Sequence, residues 1–316
     1  MIELDYHTNL TVISSNLQPS VYLTKKPDLI QGIPDGVLAL ISPVILYWSY
    51  CTFFHIIDVY HLAEKYRIHP SEEELAKNKA SLKDVIYDVV LQHIIQTIVG
   101  YGVYCLDPTP TTGFELKEMW ELKQKLHFLP NEVIYLIYMY GIPLLRIIIA
   151  FAIIDTWQYT LHRYMHMNRW MYNRFHSRHH RLQVPYAYGA LYNDPVEGFL
   201  LDTCGTGLSA IIMGLTARES LFLYSFSTMK TIDDHCGYRF PYDPFQMIFP
   251  NNSVYHDIHH QSWGFKHNFS QPFFTWWDTA LGTKYKFVNE YKDLQDKVTL
   301  ERYKKFLNDR TIKKNK

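Results

Sequence analysis

Three long apolar runs, at residues 37–59, 85–104 and 133–154, most constrain what this chain can fold into. A helix rises 1.5 Å per residue, so about 20 such residues cross the hydrocarbon core of a bilayer. The chain therefore reads as an all-α membrane protein, and its aromatic content of 16% fits the interfacial belts of such proteins. Pro43 falls near the start of the first run, where it would kink the helix at most. The second run carries Asp88, Gln92, His93 and Gln96. Their spacing of three to four puts them on one helical face, which should turn toward protein rather than lipid. For His93 the spacing allows a metal role, but a hydrogen bond between helices is the expectation. Pro143 and Arg146 interrupt the third run, and Arg146 must pair or line a polar interior. Asp155 is expected to end that span.

Further on, Asn193-Asp-Pro-Val-Glu197 is a helix-start signal, with Asp194 as N-cap, Pro195 in the first turn and Glu197 completing a capping box. Two apolar helices should follow, at about 196–214 and 219–232, as a hairpin that enters and leaves the bilayer on one side. The expected total is thus four to five membrane-embedded helices, three spans plus the hairpin. Residues 1–35 contain Pro19, Pro27 and Pro34 and should lack regular structure. Residues 105–132 read as a polar loop, and 272–278 as an aromatic stretch that meets either headgroups or the last helices.

Eleven Lys and Arg residues lie from Lys284 to Lys316, which makes this tail cytosolic by the positive-inside rule. Five lie between spans one and two and three between spans two and three, which agrees. The N-terminus is then lumenal, where Asn9-Leu-Thr11 would be a glycosylation sequon. No basic, early apolar stretch suggests a cleavable signal peptide. The formal net charge of zero argues against a nucleic-acid binder. Cys51, Cys105, Cys204 and Cys236 are scattered and suggest buried thiols rather than a disulfide framework.

Beyond the third run stand three histidine clusters: His162-Arg-Tyr-Met-His166, His176-Ser-Arg-His179-His180 and His256-Asp-Ile-His259-His260, with His235 alone between the last two. On helices each cluster would present its imidazoles on one face. Imidazole is the commonest neutral metal ligand near pH 7. Eight in three clusters exceed what one ion takes, so two metals are implied. Zinc sites use three or four protein ligands, and a histidine-rich dinuclear site at a membrane surface fits iron better. The hairpin, by returning the chain to the side it left, puts the third cluster and His235 beside the first two. All-imidazole ligation needs partners for the ring N–H groups, and Asp155, Asp194, Asp233, Asp234 and Asp257 are the candidates close by. Arg169, Arg174, Arg178, Arg181 and Lys266 would surround such a site with positive charge.

With these motifs, HxxxH, HxxHH and HxxHH after membrane spans, the chain resembles the fatty acid hydroxylase / sterol desaturase superfamily of membrane di-iron oxygenases. The strings around them, among them Val184-Pro-Tyr-Ala-Tyr-Gly-Ala190, Lys230-Thr-Ile-Asp-Asp-His-Cys-Gly-Tyr238 and Asn268-Phe-Ser-Gln-Pro-Phe-Phe274, are similar to the fungal branch that hydroxylates sphinganine at C4. The likeness runs from about residue 36 to 310. It implies an endoplasmic-reticulum enzyme that inserts one oxygen of O2 into sphinganine or dihydroceramide, giving phytosphingosine or phytoceramide. Two Fe ions would be held by His162, His166, His176, His179, His180, His235, His256, His259 and His260, though recombinant protein can carry zinc instead. Electrons would come from NAD(P)H through cytochrome b5 and its reductase. Some relatives carry a fused haem domain with a His-Pro-Gly-Gly motif; here His69-Pro70 continues Ser-Glu, so the donor would be a separate protein. His267 falls outside the pattern. Lys313-Lys-Asn-Lys316 looks like a di-lysine retrieval signal.

The implied organisation is a lumenal segment 1–35, transmembrane helices 36–155, a catalytic region 156–283 containing the hairpin 196–232, and a basic tail 284–316. Rival readings are a desaturase of the sterol C5 type, which shares the ligands, and a membrane metal transporter or sensor. Transport sites lie near the midplane on broken helices, whereas these clusters follow the spans. A zinc-bearing scaffold would leave the second metal unexplained.

Overall fold

A computed structural model describes residues 6–314, and nearly all of its regular structure is helical. In chain order, α1 (Tyr6–Ile13) and a two-residue strand β1 (Thr24–Lys25) precede α2 (Asp35–Val59), α3 (Ser71–Lys77) and α4 (Leu82–Leu106). A second short strand β2 (Thr111–Thr112), α5 (Glu115–Lys125) and α6 (Asn131–Leu136) lead to α7 (Ile142–Met167) and α8 (Arg169–Arg174). Then come α9 (Pro195–Gly198), α10 (Cys204–Ile212), α11 (Ala217–Asp234), α12 (Pro244–Ile248), α13 (Ser253–His260), α14 (Trp276–Ala280) and α15 (Val288–Lys314).

The three apolar runs are the long helices α2, α4 and the continuous stretch Asn131–Met167. Each leaves a face bare. Ile41, Ile45, Phe53 and Ile56 on α2, Ile94 and Ile98 on α4, and Leu144, Leu145 and Ile148 on α7 are exposed. Apolar surface on this scale calls for lipid rather than water. The polar face of α4 turns inward as expected: Asp88 holds Arg178 at 3.1 Å through both carboxylate oxygens, and Gln92 and His93 are buried. His93 departs from expectation, because its Nδ1 bonds to no partner and the ring packs edge-on to Tyr47.

The third span does not end at Asp155. It runs for 37 residues, through a π-turn at Ile137–Gly141 just ahead of Pro143. Such a turn absorbs the N–H that proline lacks. At 1.5 Å per residue the stretch is about 55 Å long, well beyond the roughly 30 Å core of a bilayer. The apolar run ends at Ile154, so the turns after it, which carry His162 and His166, exceed what a bilayer core needs. Arg146 pairs with Glu219 at 2.7 Å, and Glu219 also closes the capping box that starts α11 with Thr216.

The hairpin forms as read, from α9 through a second π-turn, Phe199–Thr203, into α10 and back along α11, which packs against α2. Asp194 caps α9, accepting from the Val196 N–H at 3.0 Å. Glu197 completes no capping box; it is buried and turned elsewhere.

The N-terminal segment corrects the expectation of irregular chain. Helix α1 packs on α5 and α6 around Ile13, Met119 and Ile134, and β1 pairs antiparallel with β2. The polar loop 105–132 is thus the other half of a small folded cap, with the Trp120 indole donating to Ser15 O at 2.8 Å. Helix α13 starts at the N-cap Asn252 and ends at His260, before Gly264. A Cβ on Gly264 would meet the Ile258 carbonyl oxygen at 1.8 Å, so only glycine lets the chain turn back here. Of the aromatic stretch, Phe273 is core and Trp276 is half exposed. Most of the basic tail is helix α15, docked by Tyr291 to Asp257 and by Thr299 to the Arg67 carbonyl. The di-lysine string ends outside the described residues.

Candidate metal centre

The nine histidines converge into two groups, each with its ligand atoms within 4.8 Å of one another. His162, His166, His176, His180 and His259 form one; His179, His235, His256 and His260 form the other. The triplets do not each serve one face, as the spacing alone suggests. Each splits, sending its first and last histidines to one group and its middle one to the other. The reason is angular. On a helix, positions i and i+4 differ by only about 40°, while i+3 and i+4 diverge by about 100°. His256 and His260 thus reach one group while His259 turns to its neighbour. In the 3₁₀ turn His176–Arg181, residues i and i+3 eclipse. The His176 and His179 rings accordingly stack 5.7 Å apart, as His256 and His259 do at 5.9 Å, so each stacked pair straddles the two groups.

Within the groups, Nε2 atoms face Nε2 atoms. His180 stands 3.1 Å from His166 and 3.0 Å from His176, and His162 lies 3.1 Å from His176. In the other group His256 lies 3.0 Å from both His235 and His260, with His179 at 3.5 Å from His235. The opposite ring nitrogens settle the protonation. Nδ1 of His162, His179, His235, His259 and His260 donates to the carbonyl of Phe269, Tyr192, Thr231, His267 and Leu182 respectively, at 2.8–3.2 Å. A carbonyl only accepts, so each Nδ1 carries the proton and each Nε2 points a bare lone pair inward. Lone pairs facing one another at 3 Å repel unless a cation lies between them. Burial, and then the neighbouring imidazoles, push His176, His180, His256, His259 and His260 well below the usual histidine range, and His179 down to about 3. Neutral, convergent imidazoles are the donor set that divalent transition metals bind.

The partners of these rings correct the carboxylate expectation. Among the described residues none of the five candidate aspartates bonds to a cluster imidazole. Asp155 accepts from the Phe273 and Phe274 N–H groups, and Asp194 caps α9 and meets Arg174 at 3.4 Å. Asp233 accepts from Gln246, while Asp234 pairs with the fully buried Lys230 and with Asn251. Asp257 bonds His69 and Tyr291. The carboxylate that does reach an imidazole is Glu197, 2.5 Å from His176 Nδ1, with both side chains buried. Backbone carbonyls serve five of the others, and the Nδ1 atoms of His166 and His256 bond to nothing among the described residues. The 265–275 segment supplies the carbonyls for His162 and His259, and Asp278 shapes it by accepting from the Phe269 and Ser270 N–H groups and the Tyr255 hydroxyl.

A family model described as fatty acid hydroxylase matches residues 147–283. The chain is 55% identical over 297 residues to a sphingolipid C4-hydroxylase of Saccharomyces cerevisiae, covering 94% of this chain and 85% of that protein. It is 42% identical over 252 residues to sphinganine C4-monooxygenase 1 of Arabidopsis thaliana, covering 80% and 88%. It is also 40% identical over 251 residues to a very-long-chain aldehyde decarbonylase of rice, covering 79% and 89%. The chain belongs to the fatty acid hydroxylase family. No solved structure matches it.

Within this fatty acid hydroxylase, two buried features were not legible in the sequence. Glu197 was legible only as a cap, since nothing local says that α9 will be turned so that its first-turn glutamate faces His176. His69 looked like a failed haem motif. It is instead buried between Asp257 at 3.0 Å and Glu73 at 3.1 Å. Burial pulls its pKa down, but the two carboxylates outweigh this and hold it at about 9. His267 presents its carbonyl to His259 while its side chain packs on Tyr285.

Proposed function

We propose that this chain hydroxylates C4 of sphinganine or dihydroceramide, with one iron ion in each histidine group. The observation that carries the reading is the placement of the two groups. They sit just past the membrane exit of α7, against a small cavity that adjoins a larger one between α2, α4, α10 and α11. That position suits a long-chain lipid drawn laterally from the bilayer. Two irons held there would supply reductive activation of O2 and removal of a hydrogen from an unactivated methylene. The protein's own residues do the rest. The carbonyls of Phe269, Tyr192, Thr231, His267 and Leu182 keep each Nδ1 protonated and each Nε2 free, Glu197 does so for His176, and Asp278 holds the covering segment closed. His176, His179, His235 and His256 border the inner cavity and bring the centre against the chain to be oxidised.

Electrons are assigned to NAD(P)H through cytochrome b5 and its reductase. The protein is assigned to the endoplasmic-reticulum membrane, with the metal centre and C-terminus cytosolic and the cap of α1, α5 and α6 lumenal. In labelled O2 with sphinganine, reductant and cytochrome b5, the product should be heavier by one labelled oxygen. A product two hydrogens lighter and without label would assign a desaturase instead. Iron content with an optical or Mössbauer spectrum tests the metal separately.

A further inference from the structure

Two cavities meet at the metal end of the hairpin. The larger, of about 230 Å³, follows α11 from Ala217 near the hairpin tip to Thr231, about 21 Å at 1.5 Å per residue. Its outer length is walled largely by apolar side chains, among them Leu40, Val44, Val99, Val103, Ile211 and Leu215, with Asp107 and Ser220 also in the wall. The smaller, of about 20 Å³, lies against His179, His235, His256 and Glu197. Gln158, Asp202, Thr231 and Pro272 line both and so mark the junction.

Asp202 is set there by the π-turn Phe199–Thr203, the kind of local widening that recurs at functional sites. Its carboxylate accepts from Asn193 Nδ2 at 3.3 Å and Gln158 Nε2 at 3.5 Å, both neutral donors. Among the described residues no Lys or Arg bonds to it. Beside it, Glu197 Oε2 is buried and bonded to nothing. Acidic oxygens at the end of an apolar cavity are costly unless a cation arrives to pair with them. A cavity walled mostly by apolar and neutral side chains, with a carboxylate that meets no cation at its inner end, matches a long-chain amine.

We propose that Asp202, steadied by Asn193 and Gln158, is the counter-charge for the ammonium group of a bound sphingoid base. This rests on the function proposed above. The C2 ammonium held at the junction keeps C4 beside the smaller cavity's histidines while the tail fills the larger one. An N-acyl substrate has no ammonium there, so the same contact makes the free base the better substrate.

The test uses full-length protein in detergent. Binding of octadecylamine and octadecanol is followed by thermal shift, and turnover is measured on sphinganine and dihydroceramide. Wild type should prefer the amine, and Asp202→Asn should weaken amine binding by about 30-fold or more, leaving alcohol binding and metal content unchanged. The variant's KM should rise for sphinganine and not for dihydroceramide. Asp202→Glu, which keeps the charge, should retain the amine preference. No amine preference in wild type, a measurement that needs no variant, would overturn the proposal. So would unchanged amine binding in Asp202→Asn, or equal losses on both substrates with metal retained. Failure of wild type to oxidise either lipid would remove the proposed function, yet the binding comparison would still decide Asp202.

Discussion

The two histidine groups are built from the same motifs and differ in what surrounds them. The five-histidine group draws on α7, the 3₁₀ turn and α13, and two of its members, His166 and His180, are only partly buried. It has the one carboxylate partner, Glu197, and lies near the exposed Met167 and Trp170. All members of the four-histidine group are buried, and three of the four line the inner cavity. One group therefore has the fuller ligand set and the more open outer face. The other has the smaller set and faces the space where a substrate chain would lie. A site with fewer protein ligands keeps room for an exogenous one, so under the proposed function the four-histidine site would be the one to take an exogenous ligand beside the substrate chain. The five-histidine site is the better placed to receive electrons from outside.

The largest expected effect separates His235 from His267. His235→Ala takes one of only four ligands from the buried site and should abolish turnover, with metal content falling toward one ion per chain. His267→Ala should keep both metals and most of its activity, because its contribution is a backbone carbonyl that alanine also has. Equal loss in both, measured by metal analysis and turnover, would break the assignment of the two groups.

Next comes Glu197→Gln, which should weaken metal at the five-histidine site by about 10–100-fold, as loss of an outer partner does elsewhere. Competition with a chelator should show one weakened site and one unchanged. Weakening of both would mean that the groups behave as one unit.

Asp278→Ala should loosen the segment that presents its carbonyls to His162 and His259, both in the five-histidine group. Losing charge-assisted bonds from buried N–H groups costs about 1.5–3 kcal/mol each, which a lowered Tm would report. Metal at the buried group should outlast that at the five-histidine group on mild heating.

A smaller effect is expected from pH, through α13, which supplies both groups. The His69 pKa, at about 9, lies above its unfolded value of about 6.5. Its stabilisation is thus fully present below about 6.5 and is lost as pH rises through about 9. Stability should fall over that window in wild type, whereas His69→Gln should be less stable at pH 6.5 and flat across it. The same slope in both proteins would place the titrating group elsewhere.

The smallest effect concerns the basic side chains. Arg178 is tied to Asp88, Arg174 to Asp194 and Arg181 to Tyr192, so Arg169 and Lys266 are the better candidates for steering an acidic donor. Reversing those two charges should slow reduction by cytochrome b5 a few-fold at low salt, fading at physiological salt where the Debye length is about 8 Å. An effect on membrane association alone would assign them to lipid phosphates.

The sequence by itself determined the three apolar helices, the hairpin and which nine histidines would come together. These rest on local physics: the run of apolar residues a bilayer demands, the Asp194-Pro195 helix start, and imidazoles repeated at helical spacing. Only the tertiary structure decided how the nine histidines divide. Divergence by about 100° between i+3 and i+4 means nothing until another segment stands on each side to share the two directions. The same holds for the partners of the rings. Asp155, Asp194, Asp233, Asp234 and Asp257 were close in sequence and bond elsewhere. Glu197, Phe269 and Leu182 stand 21, 107 and 78 residues from the rings they meet and become their neighbours only when the elements pack together. Covalent proximity fixes which residues share an element. Which nitrogen meets which oxygen is fixed by packing between elements, where one helix rotated by a single residue would exchange the partners.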